Sequence, residues 1–371
     1  MILNTGQRTD IPAFYSRWFA NRLREGFVMV RNPFNPVSVT RYKLDPSVVD
    51  LIIFCSKNPA PMLPYMDLLA PYHQYWFVTI TPYGTDIEPG VPPVQDVIKT
   101  FQKISSIVGP DCMSWRYDPI IITKRSGDSA NQKAGSSDRH ADHQTDSSGS
   151  HADHQAGSSD RHADHQTDDS NRHMQTRASI SDWTVEKHVT AFEHMASELA
   201  GHTHTAIISF IDLYEKVKRN FPEVSTVPLS VQLELTEAFV RIGKKYDMVI
   251  KPCAEDKILE SVGADCSGCS TVKTFEKAMG QNLLVPSFTP GRKECACYIS
   301  ADIGAYNTCG HLCRYCYANV DADTVRVNMR KHDPASPILT GQLQPDDIIH
   351  DARQESWIDR QIDIAQLTLW P

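Results

Sequence analysis

The chain has no stretch approaching the roughly 18 consecutive apolar residues of a membrane span, which excludes a transmembrane helix as its organising element. Its start, MILNTGQRTDIPAF, lacks the charged lead and apolar core of a secretory signal, so the cytoplasm is the expected compartment. Excess positive charge is lacking too. The net charge is −8, and residues 126–176 hold −5 of it, with nine Asp against one Lys and three Arg. The body is therefore only mildly acidic and has no basic stripe of the kind that tracks nucleic acid, although a local basic groove stays open. What the chain does have is ten cysteines among 371 residues. In a reducing compartment these favour metal or redox chemistry over disulfides.

The second deficit is local. Residues 126–176 contain no Phe, Trp, Tyr, Leu, Ile, Val or Cys. The string AGSSDRHADHQTD occurs at 134–146 and 156–168, and HADHQ starts at 140, 151 and 162. Without apolar side chains such a tract cannot offset the entropy of ordering, so the sequence predicts a disordered insertion. An eleven-residue helical array would need an apolar stripe, which is absent. Seven of the fifteen histidines fall here. His-x2-His repeats suit metal sequestration, but a repeat-expanded surface loop without a task explains them more simply.

With the insertion set aside, short apolar runs alternate with amphipathic stretches. Strands are expected at 27–32, 49–58, 75–82, 113–122, 204–212 and 246–255. Asp10 is placed to cap a helix that carries Pro12 in its first turn. Val94, Val97, Ile98, Phe101 and Ile104 mark a second helix, and Val185, Val189, Phe192, Ala196 and Leu199 a third. Alternation of this kind implies a parallel sheet buried on both faces, which an open doubly wound sheet or a barrel would satisfy. The strand ends favour the barrel. Arg31, Asn32, Lys57, Asn58, Arg116, Asp118, Asp212 and Glu255 stand at or just beyond them, and Lys216 follows, as at the rim of a barrel enzyme. The expected architecture is α/β: a partial, TIM-like parallel barrel of about six strands, closed by a C-terminal cysteine-rich region. Residues 1–125 and 177–260 form its two parts, 126–176 the insertion, 261–320 the cysteine region, and 321–371 an extension packing on the barrel.

Eight cysteines lie within 253–316. Cys309, Cys313 and Cys316 are spaced Cys-x3-Cys-x2-Cys. Two close pairs, such as Cys266 with Cys269 and Cys313 with Cys316, would suit structural zinc. The triplet suits a tripod on a 4Fe–4S cluster, leaving one iron open to a non-protein ligand. Cys253, Cys266, Cys295 and Cys297 make a second candidate cage for zinc or another 4Fe–4S cluster, with Cys269 able to replace Cys266. His311, inside the triplet, is read as a loop cap rather than an acid. Cys55, within a strand, is read as a small buried residue.

The triplet, with Tyr315 before its last cysteine, resembles the signature of the radical S-adenosylmethionine superfamily. More widely, RTDIPAFYSRWF (8–19), VRNPFNP (30–36), KNPAPM (57–62), TPYGTDIEPGVPP (81–93), WRYDPII (115–121), SFIDLYEKVKRN (209–220), CAE (253–255) and CACYISADIGAYNTCGHLCRYCYAN (295–319) resemble the family called domain of unknown function eighteen forty-eight. Gln7 and Cys55 depart from its pattern. The superfamily resemblance implies an enzyme that binds a 4Fe–4S cluster through Cys309, Cys313 and Cys316. It also implies S-adenosylmethionine at the open iron, a 5′-deoxyadenosyl radical, and a reductant such as flavodoxin or ferredoxin. Arg116, Asp118, Tyr315 and Tyr317 are the expected cofactor-binding residues. The rim bases would then hold the methionyl carboxylate or an anionic substrate, and the acids ribose hydroxyls or the methionyl amine. The substrate is not legible. The rival reading is a non-catalytic iron–sulfur electron relay or a structural zinc protein. A nucleic-acid-modifying enzyme, with Tyr315 and Tyr317 stacking a base, is a third, and the missing basic stripe counts against it.

Overall fold

A computed structural model of the chain describes residues 1–123, 181–288, 295–298 and 301–360. The chain divides into a main unit, Met1–Lys124 with Ile180–Pro371, and a second, Arg125–Ser179. The expected insertion at 126–176 lies outside the described residues. Along the main unit run β1 (Ile2–Asn4), α1 (Ile11–Phe14), α2 (Ser16–Glu25), β2 (Phe27–Arg31), β3 (Ser38–Lys43) and β4 (Leu51–Ser56). Next come α3 (Met66–Leu69), β5 (His73–Thr79), α4 (Val94–Val108), β6 (Met113–Ile120), α5 (Val185–Leu199) and β7 (Thr205–Phe210). The remainder holds α6 (Glu215–Asn220), α7 (Leu229–Lys245), β8 (Val249–Pro252), α8 (Val272–Met279), β9 (Ala301–Asp302), α9 (Ala322–Arg330) and β10 (Ile348–Asp351).

Seven strands form one parallel sheet in the order β8-β7-β6-β5-β4-β1-β9. From β4 to β8 each strand lies beside its predecessor, without the reversal that marks a doubly wound sheet. Yet β8 and β9 end the order and do not pair, so among the described residues the sheet is open rather than the expected barrel. Two strands of this sheet escaped the sequence reading because they are too short to show periodicity: β1 has three residues and β9 two.

Alternation along β4 explains the two layers. Ile52 and Phe54 face one core with Trp76, Trp115, Phe192 and Phe239. Leu51 and Ile53 face the other, with Ile2, Tyr75, Phe77, Ile207 and Phe275. Stacked rings reinforce the first core: Phe54 on Trp76 and Phe192 on Phe239, both with centroids 4.0 Å apart. Such pairs add about 0.5–1.5 kcal/mol each beyond burial. The second face turns polar toward the carboxyl end of the sheet. Ser114 meets the Tyr75 hydroxyl at 2.6 Å, the Arg116 guanidinium lies 4.5 Å from the Phe77 ring centre, and Ser209 donates to Asp118 Oδ1.

One expected rim strand belongs elsewhere. β2 pairs antiparallel with β3, which pairs with β10, in a separate three-stranded sheet. Arg31 and Asn32 therefore do not reach the rim. Arg31 forms an ion pair with Asp347, and Asn32 Oδ1 accepts from Phe34 N at 2.8 Å and Asn35 N at 3.2 Å, capping its own turn. The burial of β2 is one-sided, with only Val28 fully inside, as befits a strand outside the doubly covered sheet.

Candidate functional site

The cysteine triplet follows β9, which reaches the sheet through β1: Asn4 pairs with Asp302. This brings a loop from the last third of the chain to the carboxyl end of the strands. Four anchors hold it. Gly90 N donates to His311 O at 2.9 Å and His311 Nδ1 donates to Gly90 O at 3.0 Å. His311 Nε2 meets Asp10 Oδ2 at 2.8 Å. Tyr15 donates its hydroxyl to Thr308 O at 2.6 Å. Lys216 Nζ donates to Tyr317 O and to Asn319 O at 3.4 Å. Gly90 is fitted to this contact, because a Cβ there would stand 2.5 Å from Gly310 O and 2.9 Å from His311 Cα. Asn307 and Leu312 hold left-handed backbone, with φ of 59° and 54°. For branched Leu312 that conformation is unfavourable by about 1 kcal/mol or more, offset by the anchors around it.

Asp10 does more than cap. Its Oδ1 accepts from Ala13 N at 2.9 Å, as its place before Ile11 and Pro12 predicts. Its Oδ2 accepts from Lys57 N at 2.8 Å and faces His311. One carboxylate thus joins the start of α1, the end of β4 and the cysteine loop. His311 is a buried strut of that junction, in keeping with the cap reading.

The three cysteines are half-buried and lie near enough to affect one another. Burial pushes the Cys309 thiol well up, and Asp10, Cys316 and Cys313 push it the same way. Cys313 is raised by burial too, with Lys57 opposing. Cys316 is raised by burial, opposed by the Ala318 and Asn319 amides, Lys216 and Lys57. Cys316 N donates to Cys313 O at 3.0 Å, closing the Cys-x2-Cys turn. Beside Cys313 sits an ion pair, Lys57 Nζ to Glu88 Oε1 at 2.9 Å, with side chains 14% and 1% exposed. Thr81 donates to the same oxygen at 2.8 Å, and so does Tyr315. Glu88 Oε2 and Asn319 Oδ1 are buried without partners, so the site keeps unused acceptors inside.

The other expected residues spread around this mouth. Arg116 donates no hydrogen bond and makes no ion pair among the described residues, and its buried Nε is unpartnered. Burial opposes its charge, but Cys55, Cys269, Cys253 and Asp118 outweigh that and raise its pKa. Cys55 is half-buried rather than fully inside, and desolvation of its thiol pushes it up to about 11. The Tyr317 hydroxyl donates to Gln7 O at 2.5 Å, while its ring is half exposed. Asn58 N donates to Ser56 Oγ at 2.9 Å. Glu255 Oε1 accepts from Phe210 N at 2.7 Å. Burial, then Asp212 and Asp118, push the Glu255 carboxyl up to about 7. Lys216 Nζ grips the loop backbone at Tyr317 O and Asn319 O.

The second cysteine set is brought together differently from the expected grouping. Cys269 Sγ lies 3.3 Å from Cys253 Sγ and 3.2 Å from Cys297 Sγ, and Cys297 N donates to Cys295 Sγ at 3.4 Å. Cys266 is half-buried among Glu260, Asp265, Lys257 and Asp256. Hydrogen bonds from Cys253, then Cys269, hold the Cys297 thiol far below its ordinary range. Among the described residues no three or more His, Cys, Asp or Glu side chains are set out as a metal-holding group. Sequence reasoning missed Glu88, Thr81 and Gly90. All three lie in TPYGTDIEPG, a string that entered the sequence reading as part of the family resemblance, with no local pattern to single out these residues.

None of the helices among the described residues is long and apolar enough to cross a membrane. Comparison with curated proteins and with solved structures brings no match. One family profile does match, over residues 2–137 and 178–318, and its break falls on the repeat tract. With most of its length inside that profile, the chain belongs to the family described as Domain of unknown function (DUF1848).

Proposed function

We propose that Cys309, Cys313 and Cys316 hold a 4Fe–4S cluster and that the protein is a radical S-adenosylmethionine-type enzyme. The observation that carries the reading is the convergence of three half-buried cysteines, beside Lys57 and Glu88, at the carboxyl end of a parallel sheet. That is where parallel α/β enzymes gather their functional groups. The donor set suits the group: three thiolates leave one corner of a four-iron cluster open. When bound, the cluster with S-adenosylmethionine would supply a 5′-deoxyadenosyl radical.

The chain's own residues then have definable tasks. Lys57 offsets negative charge next to Cys313. The unpartnered Glu88 Oε2 and Asn319 Oδ1 offer acceptors to ammonium or hydroxyl groups of a ligand. Arg116 offers an unpaired guanidinium to a carboxylate, a geometry it recognises in bidentate fashion. Glu255, with its pKa near 7, and Asp118 supply carboxyl groups on the same side. Tyr317 covers the mouth and limits water.

The test is reconstitution under anaerobic conditions. The protein should take up about four irons with matching sulfide at the triplet. The Cys309→Ala/Cys313→Ala/Cys316→Ala variant should lose them. With dithionite and S-adenosylmethionine, only the unsubstituted protein should release 5′-deoxyadenosine. Iron retained in the triple variant, or zinc in place of iron at the triplet, would overturn the proposal.

A further inference from the structure

A second sulfur site stands apart from the triplet and does not depend on it. Cys253 leaves β8 at the carboxyl end of the sheet. Cys269 returns to it after a turn. Cys295 and Cys297 come from a third segment. The turn is clamped in place: Lys251 Nζ reaches Asp265 Oδ2 at 2.6 Å and Gly268 O at 3.4 Å. Tyr298 N donates to Ser270 O at 2.8 Å, fastening the third segment to the turn. Gly268, at φ +109°, permits the approach. A Cβ there would stand 2.8 Å from Thr271 Cγ2 and 3.0 Å from Ala296 Cβ. Cys253, Cys269 and Cys297 form no disulfide, so three segments have been packed together sulfur to sulfur without one.

Size and charge indicate what such a set accepts. Thiolates around a single tetrahedral zinc, with Zn–S near 2.3 Å, stand about 3.8 Å apart. A four-iron cube binds each thiolate to a separate iron and holds its sulfurs much further apart. The contacts of 3.2 and 3.3 Å are roughly half an ångström short of the first spacing, so side-chain rotation alone opens the trio for one ion. Arg116 adds the charge argument. It projects from the same face of the sheet, has no carboxylate partner among the described residues, and lies within electrostatic reach of Cys269 and Cys253. A buried guanidinium needs negative charge nearby; Asp118 supplies part of it, and the sulfurs supply more once ionised. A divalent ion with four thiolates carries two net negative charges.

We propose that Cys253, Cys269, Cys295 and Cys297 hold one zinc-class divalent cation in tetrahedral geometry, with Arg116 as the counter-charge of the thiolate complex. Cys266, grouped with this set on sequence spacing, is outside it.

The test uses the full chain carrying Cys309→Ala, Cys313→Ala and Cys316→Ala, so that its outcome is separate from that of the cluster proposal. Cobalt(II) added to the metal-free protein should produce sulfur-to-cobalt charge-transfer absorption and tetrahedral d–d bands, saturating at about one equivalent. Histidines of the repeat tract give no sulfur band and do not confuse the reading. Adding Cys269→Ser should weaken cobalt binding at least tenfold, and adding Cys266→Ser should leave it unchanged. Arg116→Met should weaken it in the same direction as Cys269→Ser. Should Cys269→Ser not fold, zinc release from the Cys269-containing protein by a mercurial thiol reagent gives an independent readout, again at about one equivalent. Absence of the sulfur band, a disulfide within the set, or iron with sulfide bound at these four cysteines would each overturn the assignment.

Discussion

Replacing Lys57 with methionine tests the electrostatic centre of the candidate site. Methionine keeps the length of the stem and removes the charge. Glu88 then loses its ion-pair partner at 2.9 Å while its side chain remains 1% exposed. Removing one partner of a buried pair is unfavourable by about 3–5 kcal/mol. Here Thr81 and Tyr315 still donate to Glu88 Oε1, so the lower end applies, about 3 kcal/mol. Glu88→Leu should be similarly severe, because it leaves Lys57 without a carboxylate beside three thiols. The Lys57→Met/Glu88→Leu double variant removes both charges, and its loss should fall short of the two single losses together by about 2 kcal/mol or more. Urea unfolding followed by circular dichroism, at pH 7 with reductant, reads this as shifts in midpoint at constant slope. If the single losses stay below about 1 kcal/mol, or simply add in the double variant, the pair is not buried as described and the reasoning fails.

Two further outcomes follow from the same region. The Glu255 carboxyl, ordinarily near 4.5, is raised to about 7, so the folded state holds its proton more tightly than the unfolded one. Stability should therefore fall as pH rises from about 4.5 through 7, by at most ~3 kcal/mol, and Glu255→Gln should flatten that fall while keeping an acceptor for Phe210 N. Equal pH profiles for the two proteins, measured by urea midpoint between pH 5 and 8, would refute it. Gly90→Ala forces a methyl against Gly310 O and His311 Cα, and should lower stability by about 1–3 kcal/mol. It should also reduce iron uptake at the triplet on reconstitution; unchanged stability and uptake would show that the loop is not held there.

How much of this was legible depends on length and on locality. β4 to β8 were readable because each carries an apolar run bounded by turn residues, and α4 and α5 because their apolar faces repeat at helical spacing. β2 was recognised as a strand and misplaced, since no local pattern says which sheet a strand joins. Arg31 was taken for a rim residue on that account, and its true partner, Asp347, lies 316 residues away. The triplet is local and was seen at once, whereas Glu88 is a loop acid whose meaning comes only from Lys57 and Tyr315. Cys266 and Cys269 are equally plausible by spacing. The turn through Gly268 selects Cys269, and nothing in the order of residues indicates its direction.

The sheet order also says when this molecule becomes whole. β1 is the second strand from one edge, and the edge strand it supports, β9, comes some three hundred residues later in the chain. Asp10, Tyr15 and Gly90, which grip the cysteine loop, likewise wait for partners from the end of the chain. Pairings of such long sequence separation close late and slowly. A growing chain therefore makes β1 to β8 before the cysteine loop exists, so a cluster of the kind proposed would be loaded onto a chain that already holds most of its sheet.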